Sequence, residues 1–151
     1  MVILDTDFLS SFFKIRKLHM ILKAMNLKHL VIPSTVYEEL KEAKFFDEIA
    51  SLFAFKAKDL SDKKFILVKN AVLSTLENFT EEETTTLGKG ELGCLILAKR
   101  SGETVLIDDS KARAAAKEKG LKVVSLPSFL LYCKRKNILS LDELKQIVND
   151  L

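Results

Sequence analysis

Residues Leu87 to Leu126 read LGKGELGCLILAKRSGETVLIDDSKARAAAKEKGLKVVSL, and this stretch decides the fold. Gly88-Lys89-Gly90-Glu91 opens an apolar helical run, and Thr104 to Ile107 is a short strand that ends on Asp108-Asp109. A second helix carrying Lys111, Arg113 and Lys117 follows, and Lys122 to Ser125 is a second strand. Strands alternating with helices predict a mainly parallel sheet covered on both faces, with right-handed crossovers. In such sheets ligands bind in the crevice outside the carboxyl ends of the strands, so acids at those ends are the first candidates for chemistry.

The same alternation starts at the N-terminus. Met1 to Leu4 is apolar, Asp5-Thr6-Asp7 stops it, and Phe8, Leu9, Phe12, Phe13 and Ile15 follow at near-helical spacing. A helix over Lys17 to Met25 leads to a strand at His29 to Ile32, closed by Pro33. Ser34 or Thr35 then caps a helix from Val36 to Lys44, with Thr35-x-x-Glu38 as a capping box and Glu39 in the opening turn.

The middle is less regular. Phe46, Ile49, Phe53 and Phe55 are spaced for an amphipathic helix, Asp59 to Lys64 is a charged loop, and Phe65 to Val68 a strand. One or two short helices fit Ala71 to Thr86, with a capping box at Thr80-x-x-Glu83 and a break at Thr84 to Thr86. Helices at Ser128 to Lys136 and Leu141 to Val148 close the chain, the last capped by Ser140 with Glu143. The expectation is one α/β domain over residues 1–151, in three α/β/α layers.

Composition narrows the function classes. A chain of 151 residues buries a core without disulfides or a structural metal. No apolar run approaches the roughly 20 residues that span a bilayer, and Asp5 and Asp7 interrupt any secretory signal, so a cytoplasmic protein without a membrane is expected. The two cysteines, Cys94 and Cys133, lie in apolar helical stretches and read as reduced core thiols. A net charge of +3, from 24 basic and 21 acidic side chains, permits a nucleic-acid partner without demanding one.

Asp5, Glu39, Glu91 and Asp108 all fall at strand ends or helix starts, which share one edge of a parallel sheet. Carboxylates gathered there repel one another and raise one another's pKa unless a divalent cation neutralises them. Oxygen ligands favour Mg²⁺ or Mn²⁺, and neither His19 nor His29 lies beside the acids to suggest zinc or iron. Each acid also has a structural reading. Asp5 and Asp7 compensate a helix dipole, Glu38 and Glu91 complete capping boxes, and Asp109 and Ser110 cap the helix after the strand.

With those positions fixed, the chain resembles the PIN-domain ribonucleases, most closely their toxin-like branch. The resemblance rests on Val2-Ile3-Leu4-Asp5-Thr6-Asp7, Val36-x-x-Glu39-Leu40, Gly88-x-Gly90-Glu91 and Leu106-Ile107-Asp108-Asp109 with Ala112-Arg113. It implies acids holding one or two divalent ions that cleave single-stranded or structured RNA, a homodimer, and for toxins a small antitoxin protein. Asp5 and Glu91 map onto the family pattern directly. Glu39 competes with Glu38 and is favoured, since Glu38 reads as a cap; Asp108 competes with Asp109 and is preferred because it directly follows the strand. Thr6 either orients a water or caps a helix, and Lys111, Arg113 and Lys117 either contact substrate phosphates or form a solvated basic face.

Two other readings remain at this point. Asp5-Thr6-Asp7 imitates the nucleophile motif of haloacid-dehalogenase-like phosphatases, although Leu9 stands where that motif wants Thr or Val. A non-catalytic PIN-like scaffold that binds RNA or protein would keep the acids as caps.

Overall fold

The computed structural model describes residues 1–72 and 79–151. Among the described residues six parallel strands form one sheet: β1 (Val2–Leu4), β2 (Leu30–Pro33), β3 (Phe53–Ala54), β4 (Ile66–Lys69), β5 (Thr104–Leu106) and β6 (Val123–Val124). Their order across the sheet is β3-β4-β2-β1-β5-β6. β1 and β2 are buried along their whole length, as expected of parallel strands covered on both faces by helices. β1 lies at the centre, pairing Ile3 with Val31 of β2 on one side and with Val105 of β5 on the other. The chain leaves β1 toward β2 and later returns to add β5 on the opposite side. The edge beyond β1 and β5 is therefore the topological switch point, where α/β sheets open a crevice.

Among the described residues the helices are α1 (Thr6–Lys14), α2 (Leu18–Ala24), α3 (Ser34–Lys41), α4 (Phe46–Ile49), α5 (Glu81–Thr86), α6 (Lys89–Ser101), α7 (Ser110–Glu118), α8 (Leu126–Arg135) and α9 (Leu141–Asp150). They complete the three-layer α/β/α arrangement. None of them is long and apolar enough to cross a membrane. α6 runs through the middle of the fold, buried from Leu92 to Ala98, and ends where Gly102 takes the left-handed conformation at φ 74°. Cys94 and Cys133 are free and buried, as the sequence suggests.

The helix after β1 is fixed by an aromatic triangle. Phe8 and Phe12 stack at 5.3 Å, and Phe129 of α8 meets them edge-on at 5.8 and 5.5 Å. All three rings are essentially inaccessible to solvent. Truncating such a ring removes its transfer energy and leaves a cavity, so Phe12→Ala is expected to cost about 3–5 kcal/mol of unfolding free energy in urea titrations. A loss below about 1 kcal/mol would mean that the site collapses freely, against this packing.

Several local expectations are corrected. Phe53 does not continue a helix: α4 stops at Ile49, a single 3₁₀ turn covers Ala50–Leu52, and Phe53–Ala54 pairs with Ile66 and Leu67 as the edge strand β3. Phe53 then meets Tyr37 edge-on at 5.3 Å, a tertiary contact that overrides helical spacing. The helix α3 begins at Ser34, without a side-chain cap. The Ser34 hydroxyl is engaged elsewhere, accepting from the Ala71 N–H at 3.0 Å and donating to Asn70 Oδ1 at 3.3 Å. The Thr35-x-x-Glu38 capping box is therefore absent, and Glu39 lies in the second turn of α3 rather than the first. Thr84 to Thr86 are helical, their hydroxyls donating to the carbonyls of Glu81 and Glu82 at 2.8–3.0 Å; the break falls at Leu87, whose ψ of 142° is extended.

The capping boxes at Thr80 and Ser140 are both present. The expectation of helix between Ala71 and Thr86 falls in part on residues 73–78, outside the described residues. α5 is tied down from the other side: Lys119, at the end of α7, donates to Glu83 at 2.7 Å and sits over the Phe79 ring at 4.7 Å. That ammonium holds the Glu83 carboxyl below the usual carboxylate range.

Candidate functional site

Asp5 is the first residue after β1. Its N–H donates to Leu106 O of β5 at 3.2 Å, and its Oδ1 accepts from Phe8 N–H at 2.8 Å, which makes it the cap of α1. Only 3% of its surface is exposed. Burial raises its pKa to about 7 despite the Phe8 bond, and the charges of Asp7, Glu91 and Asp108 push the same way. A carboxyl with one good hydrogen bond and such a pKa is short of positive charge.

Glu91 sits in the first turn of α6, half-buried. Its pKa is raised to about 6, first by burial, then by Asp109, with Glu39 and Asp7 adding; the Gly88 N–H works against them. Glu39 reaches the same place from α3. Its Oε1 accepts from Gly90 N–H at 2.7 Å, and its Oε2 accepts from the Thr6 hydroxyl at 2.5 Å. Glu38, exposed like Glu39, pairs instead with Lys41 of its own helix at 3.2 Å. Of the two adjacent glutamates, Glu39 is the one bonded to Thr6 and Gly90, the chain neighbours of Asp5 and Glu91.

The last acids lie beyond β5. Asp108 is exposed, and its Oδ1 accepts from Leu126 N–H at 3.2 Å, the first amide of α8. Asp108 therefore has a capping role that its place after a strand did not suggest. Asp109 caps α7, accepting from Ala112 N–H at 2.8 Å, while Ser110 is simply the first helical residue. Capping does not remove Asp109 from the edge: its charge is the strongest charged influence on Glu91. On the same helix Lys111 and Lys117 are exposed, and Arg113 is half-buried with an Nε that lacks a hydrogen-bond partner.

Two neighbours of the acids are not among the candidate site residues of the sequence. Asp7, exposed in the first turn of α1, raises the pKa of both Asp5 and Glu91, so it belongs electrostatically to the same edge. The signal was its i+2 spacing from Asp5, which equally suits a helix dipole. Cys94 lies beneath, fully buried, its thiol facing Leu4 O at 3.5 Å. Burial, then the charges of Asp5, Glu39 and Glu91, push that thiol far up, so it stays protonated.

The structure thus brings Asp5, Glu39, Glu91, Asp108 and Asp109 to one edge, from the ends of β1 and β5 and from α3 and α6. As they stand, no three His, Cys, Asp or Glu side chains among the described residues are drawn together tightly enough to hold a metal ion. The donor set still suits a hard cation. It consists of carboxylate oxygens, with no histidine or lysine in their hydrogen bonds, and two of them have a pKa raised by burial and by one another.

No curated protein matches the chain. A family model described as PIN domain matches residues 1–151. With an all-parallel sheet, acids at its switch point and a match along the full length, the chain belongs to the PIN-domain family.

Proposed function

We propose that the protein is a Mg²⁺- or Mn²⁺-dependent ribonuclease that hydrolyses phosphodiester bonds of single-stranded RNA. PIN domains are generally nucleases and typically use divalent metals. The observation that carries the reading onto this chain is the pair of raised carboxyls, Asp5 at about 7 and Glu91 at about 6, on an edge that several other acids share. Such a cluster is costly when ionised and is relieved by a divalent cation.

Asp5, Glu39, Glu91 and Asp108 would hold the ion, with Asp109 beside them. When bound, such an ion supplies Lewis-acid activation of water and charge compensation at phosphoryl oxygens. Asp5 keeps Oδ2 free for this role, because Phe8 occupies only Oδ1. One of these carboxylates would assist removal of a proton from the attacking water. Lys111 and Arg113 follow on α7 and would hold substrate phosphates. Thr6 acts through Glu39, not as a cap, since Asp5 caps α1.

A finer reading makes this nuclease the toxin of a toxin-antitoxin pair, with a small antitoxin protein covering the acids and a homodimer as the working form. Its support is the sequence resemblance. The second functional reading is a binding-only scaffold. It draws on the fact that Asp5, Asp108 and Asp109 each already accept a backbone N–H. The phosphatase reading gains nothing from the family match and leaves Glu39 and Glu91 without a role.

One assay separates the two functional readings: incubation of the purified protein with mixed RNA, with Mn²⁺ and with chelator. Cleavage that appears with Mn²⁺ and disappears with chelator is the expected result. RNA binding without cleavage under both conditions would establish the scaffold instead.

A further inference from the structure

We infer that Gly90 and Thr6 are positioning residues that clamp Glu39 between Asp5 and Glu91, an inference that rests on the metal-dependent reading of this edge. Thr6 is the residue after Asp5, and Gly90 is the residue before Glu91. Their two hydrogen bonds, 2.5 Å to Oε2 and 2.7 Å to Oε1, occupy both oxygens of Glu39. One carboxylate therefore bridges the N-termini of α1 and α6, the two helix starts where Asp5 and Glu91 sit. Moving any one of the three acids strains the bonds that locate the other two.

The bridge depends on the absence of a side chain at position 90. A Cβ there would lie 2.5 Å from Glu39 Oε1, 2.8 Å from its Cδ and 2.9 Å from its Oε2, closer than atoms pack. Alanine at this position must expel the carboxylate or push α3 away from α6. One turn along, Gly93 faces Thr35, one turn back on α3, so glycines let the two helices approach closely. Gly90 N–H is also an end amide of α6 that its cap, Gly88, has no side chain to satisfy. Glu39 satisfies it from another helix. A capping role alone, however, would need neither the Thr6 bond nor the empty space at Gly90.

The test is a set of cycles read by Mn²⁺ calorimetry and by thermal unfolding, on G90A, T6V, E39A, G90A/E39A and T6V/E39A. Valine keeps the shape of Thr6 and removes only the donor, so T6V keeps the test decisive should G90A fold poorly. Groups that orient ligands typically contribute about 10- to 100-fold in metal affinity, and G90A and T6V are each expected to weaken Mn²⁺ binding by that much. In the E39A background neither change should weaken it further, because there is no carboxylate left to displace. Mn²⁺ affinity unchanged in G90A and T6V would overturn the inference, as would losses that add in full to that of E39A. If the wild-type chain binds no Mn²⁺, the metal reading falls. The clamp would then stand on the thermal arm alone, provided G90A lowers Tm with Glu39 present and not in the E39A background; equal losses in both would refute it.

Discussion

Asp5→Asn is expected to abolish Mn²⁺-dependent RNA cleavage, by on the order of a thousandfold or more, while making the metal-free protein more stable at pH 8. The two effects come from one cause. The folded chain holds the Asp5 carboxyl at a pKa of about 7, against 3.8 when it is unconstrained, so between those values the folded state binds the extra proton. Stability therefore falls as pH rises through that window, and the full penalty is present above it. A difference of this size corresponds to roughly 4 kcal/mol. Asparagine is as good a helix cap as aspartate, accepting the Phe8 N–H through its amide oxygen, and it carries no charge to bury. Urea titrations at pH 8 should show the variant gaining on the wild type, and titrations near pH 4 should show little difference. A variant that is less stable at pH 8 would mean that Asp5 is held mainly as a structural anion, and retained cleavage would remove it from the reaction.

The fold was largely legible because parallel strands buried on both faces leave short, unbroken apolar runs. Val2–Leu4, Leu30–Pro33 and Thr104–Leu106 all stand out in that way. β3 did not, because a two-residue edge strand has no pattern of its own and Phe53 is placed by Tyr37 and Ile66, distant in sequence. The gathering of the acids at one edge was legible in the sequence, and their hydrogen bonds less so. Asp5, Glu91 and Asp108 announced themselves by their position at element ends. The start of α3 was hidden by Ser34, whose hydroxyl bonds to Ala71 and Asn70 instead of capping its own helix, and the bonds of Glu39 to Thr6 and Gly90 join elements distant in sequence. The second role of Asp108, bonding the first amide of α8, depends on how β5 and α8 meet and leaves no trace in local spacing.

Proton and metal should compete for the same carboxylates, which gives the acidic edge a signature that a set of caps lacks. Below their pKa values, about 7 for Asp5 and about 6 for Glu91, both groups are protonated in the metal-free protein and must release a proton to bind a cation. Two pH units below the first value and one below the second, the competition weakens apparent Mn²⁺ affinity by roughly a hundredfold and tenfold, so lowering the pH from 8 to 5 should cost roughly a thousandfold. The metal-free protein responds in the opposite direction. Both carboxyls are raised above their ordinary values, so their contribution to stability is least unfavourable at low pH and worsens as pH rises through the two pKa values. The increase in Tm on adding Mn²⁺ should therefore be large at pH 8 and nearly vanish at pH 5, although the metal-free Tm gains from these two groups as pH falls. A Tm increase of equal size at both pH values would show that the ion binds away from Asp5 and Glu91. In the Asp5→Asn variant the pH dependence of any residual binding should flatten to that of Glu91 alone, centred near pH 6.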